Sequence, residues 1–229
     1  VDGVGCSVPF TVGSDVWSNL AVTVARAMYQ QRSGTALGPP YTAVARPRPF
    51  HPDDGKVVSD DSLPLLDVRD TSEVFDALVA GQKPGTVAGA WGGHFDAGDW
   101  DRRIEHLWYT RAVAELVQQR PERWAKVDLG IPESGDGVPD LLDEGLWTLD
   151  LYKRMQGADG SIRGGIETSS VPRPDSTSWS DNLATFAYAP DPWASYIYAS
   201  VAAEVSVVLR PYDEARAAGY LTSAQAAMA

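Results

Sequence analysis

The sequence predicts an all-α fold in which inner helices are covered by outer ones. Residues from about 139 to 155 carry apolar side chains around most of a helical circumference, and residues 193–209 are apolar on every side. Residues 15–32 and 100–119 instead have their apolar side chains on one face. A helix with one apolar stripe lies at a surface, whereas a helix that is apolar all round is enclosed by protein. Two enclosed helices alternating with amphipathic ones therefore indicate a layered helical assembly.

Turn residues divide the remaining segments. Residues 1–11, with alternating valines and two glycines, predict a short strand and turn at the N-terminus. Ser14 is suited to cap the helix at 15–32. Six prolines exclude a regular helix over residues 35–70, which we expect to form a long ordered loop or a wandering hairpin. Short helices are expected over residues 71–80, 212–219 and 222–228.

Charge and cysteine content exclude several classes of protein. The 229 residues are 44% hydrophobic, which is enough for a substantial core. Nineteen Lys and Arg against 31 Asp and Glu give a net charge of −12, and this sign repels nucleic-acid phosphates and anionic lipids. The longest apolar run contains Glu204 and is too short to cross a membrane. The single cysteine, Cys6, excludes an intrachain disulfide and a cysteine-based zinc site. We therefore expect neither nucleic acid nor a membrane as a partner.

A glycine-rich stretch with three aspartates comes just before the helical pattern at 100–119, and it reads Gly92-Gly93-His94-Phe95-Asp96-Ala97-Gly98-Asp99-Trp100-Asp101. Glycine permits sharp turns and the close approach of a ligand. Helical spacing from Asp96 to Asp99 would place both carboxylates on one side of the chain, where the pair can hold one water. Aromatic neighbours such as Phe95 and Trp100 offer flat apolar surface, as sugar sites do. The stretch is therefore a candidate catalytic turn.

Two other interpretations of these aspartates remain open. Aspartates often cap and charge a helix N-terminus, and Asp101 is suited to that role. Clustered aspartates also bind calcium, but the ligands of an EF-hand loop alternate and end with a distant glutamate. Asp96, Asp99 and Asp101 instead occupy relative positions 1, 4 and 6. This spacing disfavours a metal at the turn, so we assign no metal ligand.

Sugar hydrolysis at this turn would need a further residue. The acid and the base act on opposite sides of the scissile glycosidic bond. Asp96 and Asp99 share one side, so they could hold and deprotonate a water but could not also protonate the leaving oxygen. A separate carboxylic acid must come from elsewhere.

Several segments, in order, resemble glycoside hydrolase family 9, a family of mostly inverting endoglucanases on an (α/α)6 barrel. Residues 92–99 (GGHFDAGD) are similar to the base motif of the family, and residues 131–144 (IPESGDGVPDLLDE) to the loop and helix that follow it. Residues 26–34 (RAMYQQRSG) resemble the first barrel helix, and residues 189–192 (APDP) the start of a later one. Residues 1–10 (VDGVGCSVPF) resemble the end of the immunoglobulin-like module that precedes many of these domains.

The resemblance implies an activity and an incomplete active site. Asp99 corresponds to the catalytic base and Asp96 to its helper on the same water. The implied substrates are β-1,4-linked glucans, namely cellulose, mixed-linkage glucan or cello-oligosaccharides. The alternatives are an exo-acting β-glucosidase or exo-glucosaminidase of the same family, and a sugar-binding protein that has lost catalysis. The proton-donating glutamate of the family has no counterpart before Ala229.

The resemblance also implies boundaries and partners. Residues 1–13 would be the tail of an immunoglobulin-like module, and residues 14–229 the N-terminal half of the catalytic domain. We expect the C-terminal half to accompany this chain as a second polypeptide that supplies the acid, and we expect the protein to be secreted or periplasmic. No cofactor is required. A structural calcium ion is conceivable in residues 127–150, which hold seven acids and no Lys or Arg, although a solvated helix start explains them equally well.

The predicted substrate-binding residues are His51, His94, Phe95, Trp100, Trp179 and Tyr188. His51 is similar to part of the rim of the family's active site, or is a hydrogen-bonded loop histidine. His94 is placed either to orient Asp96 or to touch substrate, whereas His106 is expected to be packed. Trp179 and Tyr188 could stack on sugar rings, although tryptophan is more often a core residue.

Overall fold

The structure is a computed structural model that describes residues 3, 5, 8–13, 16–68, 73–96 and 100–229. The helices are α1 (Ser18–Gln30), α2 (Val74–Gly81), α3 (Leu107–Gln119), α4 (Pro121–Trp124), α5 (Asp140–Arg154), α6 (Pro192–Leu209) and α7 (Glu214–Ala227). The strands are β1 (Val58–Pro64), β2 (Gln82–Thr86), β3 (Arg102–Arg103), β4 (Gly165–Thr168) and β5 (Thr185–Ala189).

The long helices form where the sequence predicts them. α1 lies within residues 15–32, and α5 and α6 match the two patterns that are apolar on several sides. The two short helices expected at the end are instead one helix, α7, which continues through Gly219. Asp213 starts this helix, since its carboxylate accepts a hydrogen bond from the backbone N–H of Arg216 at 2.9 Å.

The helix expected from residue 100 begins seven residues later. Arg102 and Arg103 form β3 and pair with Ile166 and Gly165 of β4. A short 3₁₀ helix, Ile104–His106, then leads into α3. The backbone groups of residues 102 and 103 are committed to the sheet, which the helical pattern alone does not reveal.

A five-stranded sheet is the main departure from the all-α prediction. Its strand order is β2-β1-β5-β4-β3, with β1 and β5 parallel and the other pairs antiparallel. Each strand has seven residues or fewer, and β4 and β5 are buried along their whole length. Such short, enclosed strands lack the alternation that identifies a strand in sequence. The strand expected in residues 1–11 is absent from the described residues of that segment, and the others lie outside the description.

The core is built on α5. Its residues Leu142, Leu146, Leu149 and Leu151 are completely buried, as its apolar circumference predicts. α3 packs against α5 and α6, and α6 packs against α7. α5 is thus enclosed by other elements, as predicted, whereas α6 is enclosed only in part, because Tyr196 and Val207 on this helix are more than half exposed.

Two apolar surfaces have no partner within the described residues. The stripe on and beside α1 faces outward, with Val16, Leu20 and Val24 between 39% and 53% exposed. A groove of about 580 Å³ also lies between α6 and α7, and it is lined by Tyr196, Ala199, Ser200, Ala203, Leu221, Ala224, Gln225, Met228 and Ala229.

The burial of α5 can be tested by truncation. We expect Leu146→Ala to lower the free energy of unfolding by about 3 kcal/mol, because it leaves a cavity in a closed core. The matched control is Leu116→Ala on α3, where the leucine is 45% exposed, and its cost should stay below about 1 kcal/mol. Urea denaturation measures both, and equal losses would contradict the central position of α5.

Candidate active site

Of the two predicted catalytic aspartates, only Asp96 lies within the described residues. Asp99 lies outside the described residues, together with residues 97 and 98. Asp96 is exposed on the turn. Asp101 is 5% exposed, and its Oδ2 lies 2.9 Å from Nε of Arg103, so its carboxylate pairs with β3 and does not cap α3. The structure therefore shows the framework that carries Asp96.

Two glycines allow the turn to pass close to α5. Gly92 and Gly93 have φ angles of 91° and 74°, a region that favours glycine. A Cβ on Gly92 would lie 2.5 Å from Nη2 of Arg154, and one on Gly93 would lie 2.8 Å from Cδ2 of Leu151. Both positions therefore require glycine, for their backbone angles and for space.

The segment after α1 runs alongside the turn. The backbone N–H of Ser33 donates to the carbonyl of Gly93 at 2.7 Å, and that of Phe95 donates to the carbonyl of Gln31 at 2.9 Å. These two hydrogen bonds flank His94. The backbone is therefore fixed on both sides of this residue, immediately before Asp96.

The His94 side chain ties the turn to the middle of α5. Its ring is 2% exposed, with Nδ1 2.7 Å from Oγ1 of Thr148 and Nε2 2.7 Å from Oε1 of Glu144. Glu144 and Thr148 are four residues apart on α5 and so face the same way. Both ring nitrogens have protein partners, which supports the orienting role proposed for His94. A contact between His94 and substrate stays a prediction.

Glu144 is completely buried and is shared by two partners. Its Oε1 also accepts from Nε of Arg32 at 3.1 Å, and its Oε2 lies 3.0 Å from Nη2 of the same residue. Nη1 of Arg32 contacts Glu133 at 2.9 Å, and the rings of Trp147 and Tyr29 lie 4.5 and 5.1 Å from the guanidinium. Burial acts to lower the pKa of Arg32, but Glu144 and Glu133 outweigh it and the pKa is raised. The buried charges are therefore paired.

An aromatic cluster lies on the other side of the turn. The ring of Phe95 packs edge-on against Phe50 and Trp100, at centroid distances of 5.8 and 5.3 Å. Arg102 is completely buried, 5.1 and 5.4 Å from the rings of Phe50 and Phe95. Burial lowers the pKa of Arg102 to about 10, so it stays charged at neutral pH. Phe95 is only 8% exposed, whereas Trp100 is partly accessible.

His51 lies in a second aromatic contact. Its ring centroid is 4.5 Å from that of Trp91, and its Nδ1 accepts a hydrogen bond from the backbone of Asp53 at 3.2 Å. Burial, followed by the charge of Arg48, lowers the pKa of His51. The ring is therefore a hydrogen-bonded, neutral loop histidine at neutral pH. A role at the rim of a cleft stays a prediction.

The two remaining aromatic candidates have different environments. Trp179 is 42% exposed and keeps a ring face accessible. Tyr188 lies on β5, has no exposed surface, and places its hydroxyl 3.5 Å from Oε2 of Glu167. Burial raises the pKa of Tyr188. Of the two, only Trp179 offers a surface on which a sugar ring could stack.

Sequence reasoning missed the charged residues that support the turn. Arg32 and Glu144 were part of the motifs used for the resemblance, but no site role was assigned to them. The spacing between Glu144 and Thr148 is a usable signal, because it places two hydrogen-bonding groups on one face of an apolar helix. Their partner, His94, is 50 residues away from Glu144, and no local pattern identifies it.

Sequence relatives and solved structures were compared with the chain. No protein-family profile matches it. A xyloglucan-specific endo-β-1,4-glucanase of Bacteroides ovatus is 26% identical over 160 residues, which are 69% of this chain and 25% of the relative. Endoglucanase D of Acetivibrio thermocellus is 27% identical over 165 residues, covering 71% and 23%. A crystal structure of a metagenome-derived glycoside hydrolase family 9 endoglucanase superposes with a TM-score of 0.74 at 26% identity, over 93% of this chain and 35% of that one.

The chain is similar, in sequence and in fold, to endoglucanases of glycoside hydrolase family 9 over one portion of their length. It spans about a quarter of the length of these curated relatives. The solved family 9 endoglucanase J30 covers 98% of this chain with a TM-score of 0.74, and this chain covers 39% of it. The helices and the sheet described above thus have counterparts in one portion of a larger family 9 fold.

The acidic residues at 127–150 do not converge on one point. Asp140 accepts a hydrogen bond from the backbone of Leu129 at 2.7 Å, Asp136 accepts one from that of Val138 at 2.8 Å, and Glu144 binds His94 and Arg32. Asp143 lies 3.3 Å from Arg216 of α7. Each carboxylate therefore has its own protein partner, and calcium binding in this stretch stays a prediction.

One group of possible metal ligands occurs within the described part of the chain. Ligand atoms of Asp96, Asp101 and His106 all lie within 4.8 Å of one another. Arg103 already pairs with Asp101, and its positive charge opposes a cation at the same carboxylate. Among the described residues, no helix is both long enough and apolar enough to cross a membrane.

The buried charge cluster predicts a large difference between two glutamates. Glu144→Gln keeps the shape of the side chain but leaves Arg32 and His94 without their shared charge, so we expect a loss of about 3 kcal/mol in the free energy of unfolding. In the control, Glu115→Gln, the glutamate pairs with an exposed Arg111, and the change should be within about 0.5 kcal/mol. Chemical denaturation distinguishes the two, and similar losses would refute the importance of the cluster.

Asp143 predicts a dependence of stability on pH. Burial, followed by the charge of Asp136, raises the pKa of Asp143 to about 7. The folded protein then binds a proton more tightly than the unfolded chain, so this residue makes stability fall as pH rises from about 4 to 7. We expect Asp143→Asn to gain stability relative to the wild type across this range, on the order of 3 kcal/mol. Denaturation midpoints of both proteins at pH 5 and pH 8 measure this, and a constant difference between them would contradict it.

Proposed function

We propose that this chain forms the base side of the active site in an inverting hydrolase of β-1,4-linked glucans. The observation that carries the proposal is the turn at residues 92–96, which holds Asp96 at the surface of a rigid, buried framework in a chain similar to family 9 endoglucanases. The relatives reported above are endoglucanases, one of them specific for xyloglucan. Both aspartates of the motif are present in the sequence.

In the proposed reaction, Asp99 takes a proton from the hydrolytic water and Asp96 helps to hold that water. The two aspartates are three residues apart in the sequence, so we place them on the same side of the glycosidic bond. An inverting enzyme needs an acid roughly 6.5 to 9.5 Å from the base, across the bond. We propose that a glutamate from a part of the domain outside this chain supplies the proton.

We propose substrate contacts at aromatic side chains whose rings are accessible to solvent. Trp100 and Trp179 have accessible ring surface and are suited to stack on the apolar faces of glucose units. Phe95 packs against Trp100, and His51 packs against Trp91. Such aromatic surface beside carboxyl groups suits a neutral polysaccharide. A polymer of this kind does not cross a membrane, so secretion or export to the periplasm is part of the proposal.

Two unpartnered apolar surfaces support completion of the barrel. The outward stripe on α1 and the groove between α6 and α7 are larger apolar exposures than isolated surface residues explain. We propose that the remaining helices of an (α/α)6 barrel cover both surfaces and bring the acid with them, as a second polypeptide. Mass spectrometry of the intact protein tests this, and a fully active sample with no such polypeptide would refute it.

The roles of the two aspartates predict graded losses of activity in the complete enzyme. Asp99→Asn should reduce turnover roughly a thousandfold, because it removes the general base, and Asp96→Asn roughly tenfold to a hundredfold. The control is Asp76→Asn on α2, an exposed aspartate outside the proposed site, which should leave turnover unchanged.

Reducing-sugar release from cellulose, mixed-linkage glucan and chitosan oligomers measures these effects and separates the alternatives. Release of single sugars only from chain ends would indicate the exo-acting alternative. Binding without release would indicate a sugar-binding protein. Wild-type rates in the Asp99 variant would exclude this residue as the base.

A further inference from the structure

His106 lies against the predicted helper aspartate, although its position suggested only a packing role. It ends the 3₁₀ helix before α3 and is partly buried. One of its ring nitrogens, an oxygen of Asp96 and an oxygen of Asp101 all lie within 4.8 Å of one another. His106 is therefore close enough to influence the Asp96 carboxylate.

The turn itself holds the His106 ring in place. The ring forms a hydrogen bond with the backbone of His94, two residues before Asp96. The backbone at His94 is in turn fixed by the hydrogen bonds that flank it. One imidazole thus contacts the rigid backbone of the turn and faces the carboxylate that the same turn carries.

The spacing of His106 and Asp96 suits one bridging water. A ring nitrogen of His106 and an oxygen of Asp96 lie no more than 4.8 Å apart, so one water can lie about 2.8 Å from both, which is a hydrogen-bond distance. Arg103 pairs with Asp101 as well as with Glu167, and its positive charge opposes a cation beside Asp101 and so favours a neutral water there. A water at this point can donate one hydrogen to the free ring nitrogen of His106 and the other to Asp96.

The charges around the ring agree with this arrangement. Burial lowers the pKa of His106, Asp96 opposes that effect, and the charges of His94 and Arg102 add to it. The ring is therefore neutral at neutral pH. A neutral ring that donates its N–H to a backbone carbonyl has one nitrogen left, and that nitrogen accepts.

A cavity beside this point provides room for water. It has a volume of about 410 Å³ and lies between α1, α3 and α5, next to the turn. Its polar lining includes Gln31, Asp96, Glu105, His106 and Tyr109. A water between Asp96 and His106 is therefore next to a space that can hold several more.

We propose that His106 is a positioning residue that fixes the Asp96 carboxylate, through one bridging water, against the backbone of the catalytic turn. The inference rests on the proposed function, because it names what keeps Asp96 oriented toward the hydrolytic water. His106 itself does not touch the substrate.

The test compares two variants in the complete enzyme. His106→Leu keeps most of the volume but removes both hydrogen bonds, and we expect kcat to fall about tenfold with KM within about twofold, since orientation and not substrate binding is lost. His106→Gln can donate to the His94 carbonyl and accept from the water through one side chain. It should restore most of the kcat.

A stability control separates positioning from packing. Val113→Ala truncates a buried side chain on α3, and it should lower Tm without changing kcat. The proposal fails if His106→Leu keeps the wild-type kcat, or if His106→Gln is as slow as His106→Leu. A fall in wild-type kcat after dialysis against EDTA also overturns it, because a cation would then occupy the bridging point.

A crystal structure of the wild type gives a readout that does not depend on activity. A water within about 3.2 Å of both the His106 ring and the Asp96 carboxylate supports the bridge, and its absence overturns it. If the wild type hydrolyses no glucan, the proposed function fails, while this structure still decides whether His106 positions Asp96.

Discussion

The buried carboxylate of Glu144 is the interaction on which the active-site framework depends. Burying a carboxylate costs free energy because it loses its hydration, and nearby charges and hydrogen bonds must offset that cost. Here Arg32 comes from the segment after α1, His94 comes from the glycine-rich turn, and Glu144 lies on α5. None of the three can reach its partners unless all three segments are docked. The electrostatic requirement therefore sets the relative positions of α1, α5 and the turn.

The same requirement explains other features near the turn. His94 can reach Glu144 and Thr148 only if the turn lies close against α5, and that approach excludes a Cβ at Gly92 and Gly93. The side chain of Arg154, near the end of α5, donates to the carbonyl of Trp91 at 2.6 Å and so holds the start of the turn as well. The contacts of the buried charges thus determine the backbone conformation of the turn. Replacing the cluster by apolar residues could preserve stability, but would remove the directional contacts that define the position of the turn.

Much of the helical part of the fold could be predicted, because α5 and α6 carry apolar side chains around most or all of the helix. The sheet could not, since its strands are short and β4 and β5 are buried throughout, so neither alternation nor length identifies them. The outward direction of the α1 stripe could not be predicted either, because an apolar stripe indicates that a helix packs against something but not that the partner lies within the same segment. In the site, the glycines and Asp96 were recognised from local pattern. Arg32, Glu144 and Arg102 were not, because their roles come from contacts between residues that are distant in sequence.

The buried cluster that supports Asp96 lies entirely within this chain. Every member of the Arg32, His94, Glu144 and Thr148 cluster lies within these 229 residues, and none lies on the exposed stripe of α1 or in the groove between α6 and α7. Covering those surfaces would therefore extend the cleft without rebuilding the support beneath Asp96. Base and acid act on opposite sides of one bond, so the two halves of such a site can have separate supports. The distance between them then depends on how the covering helices dock, whereas the orientation of Asp96 depends on α5.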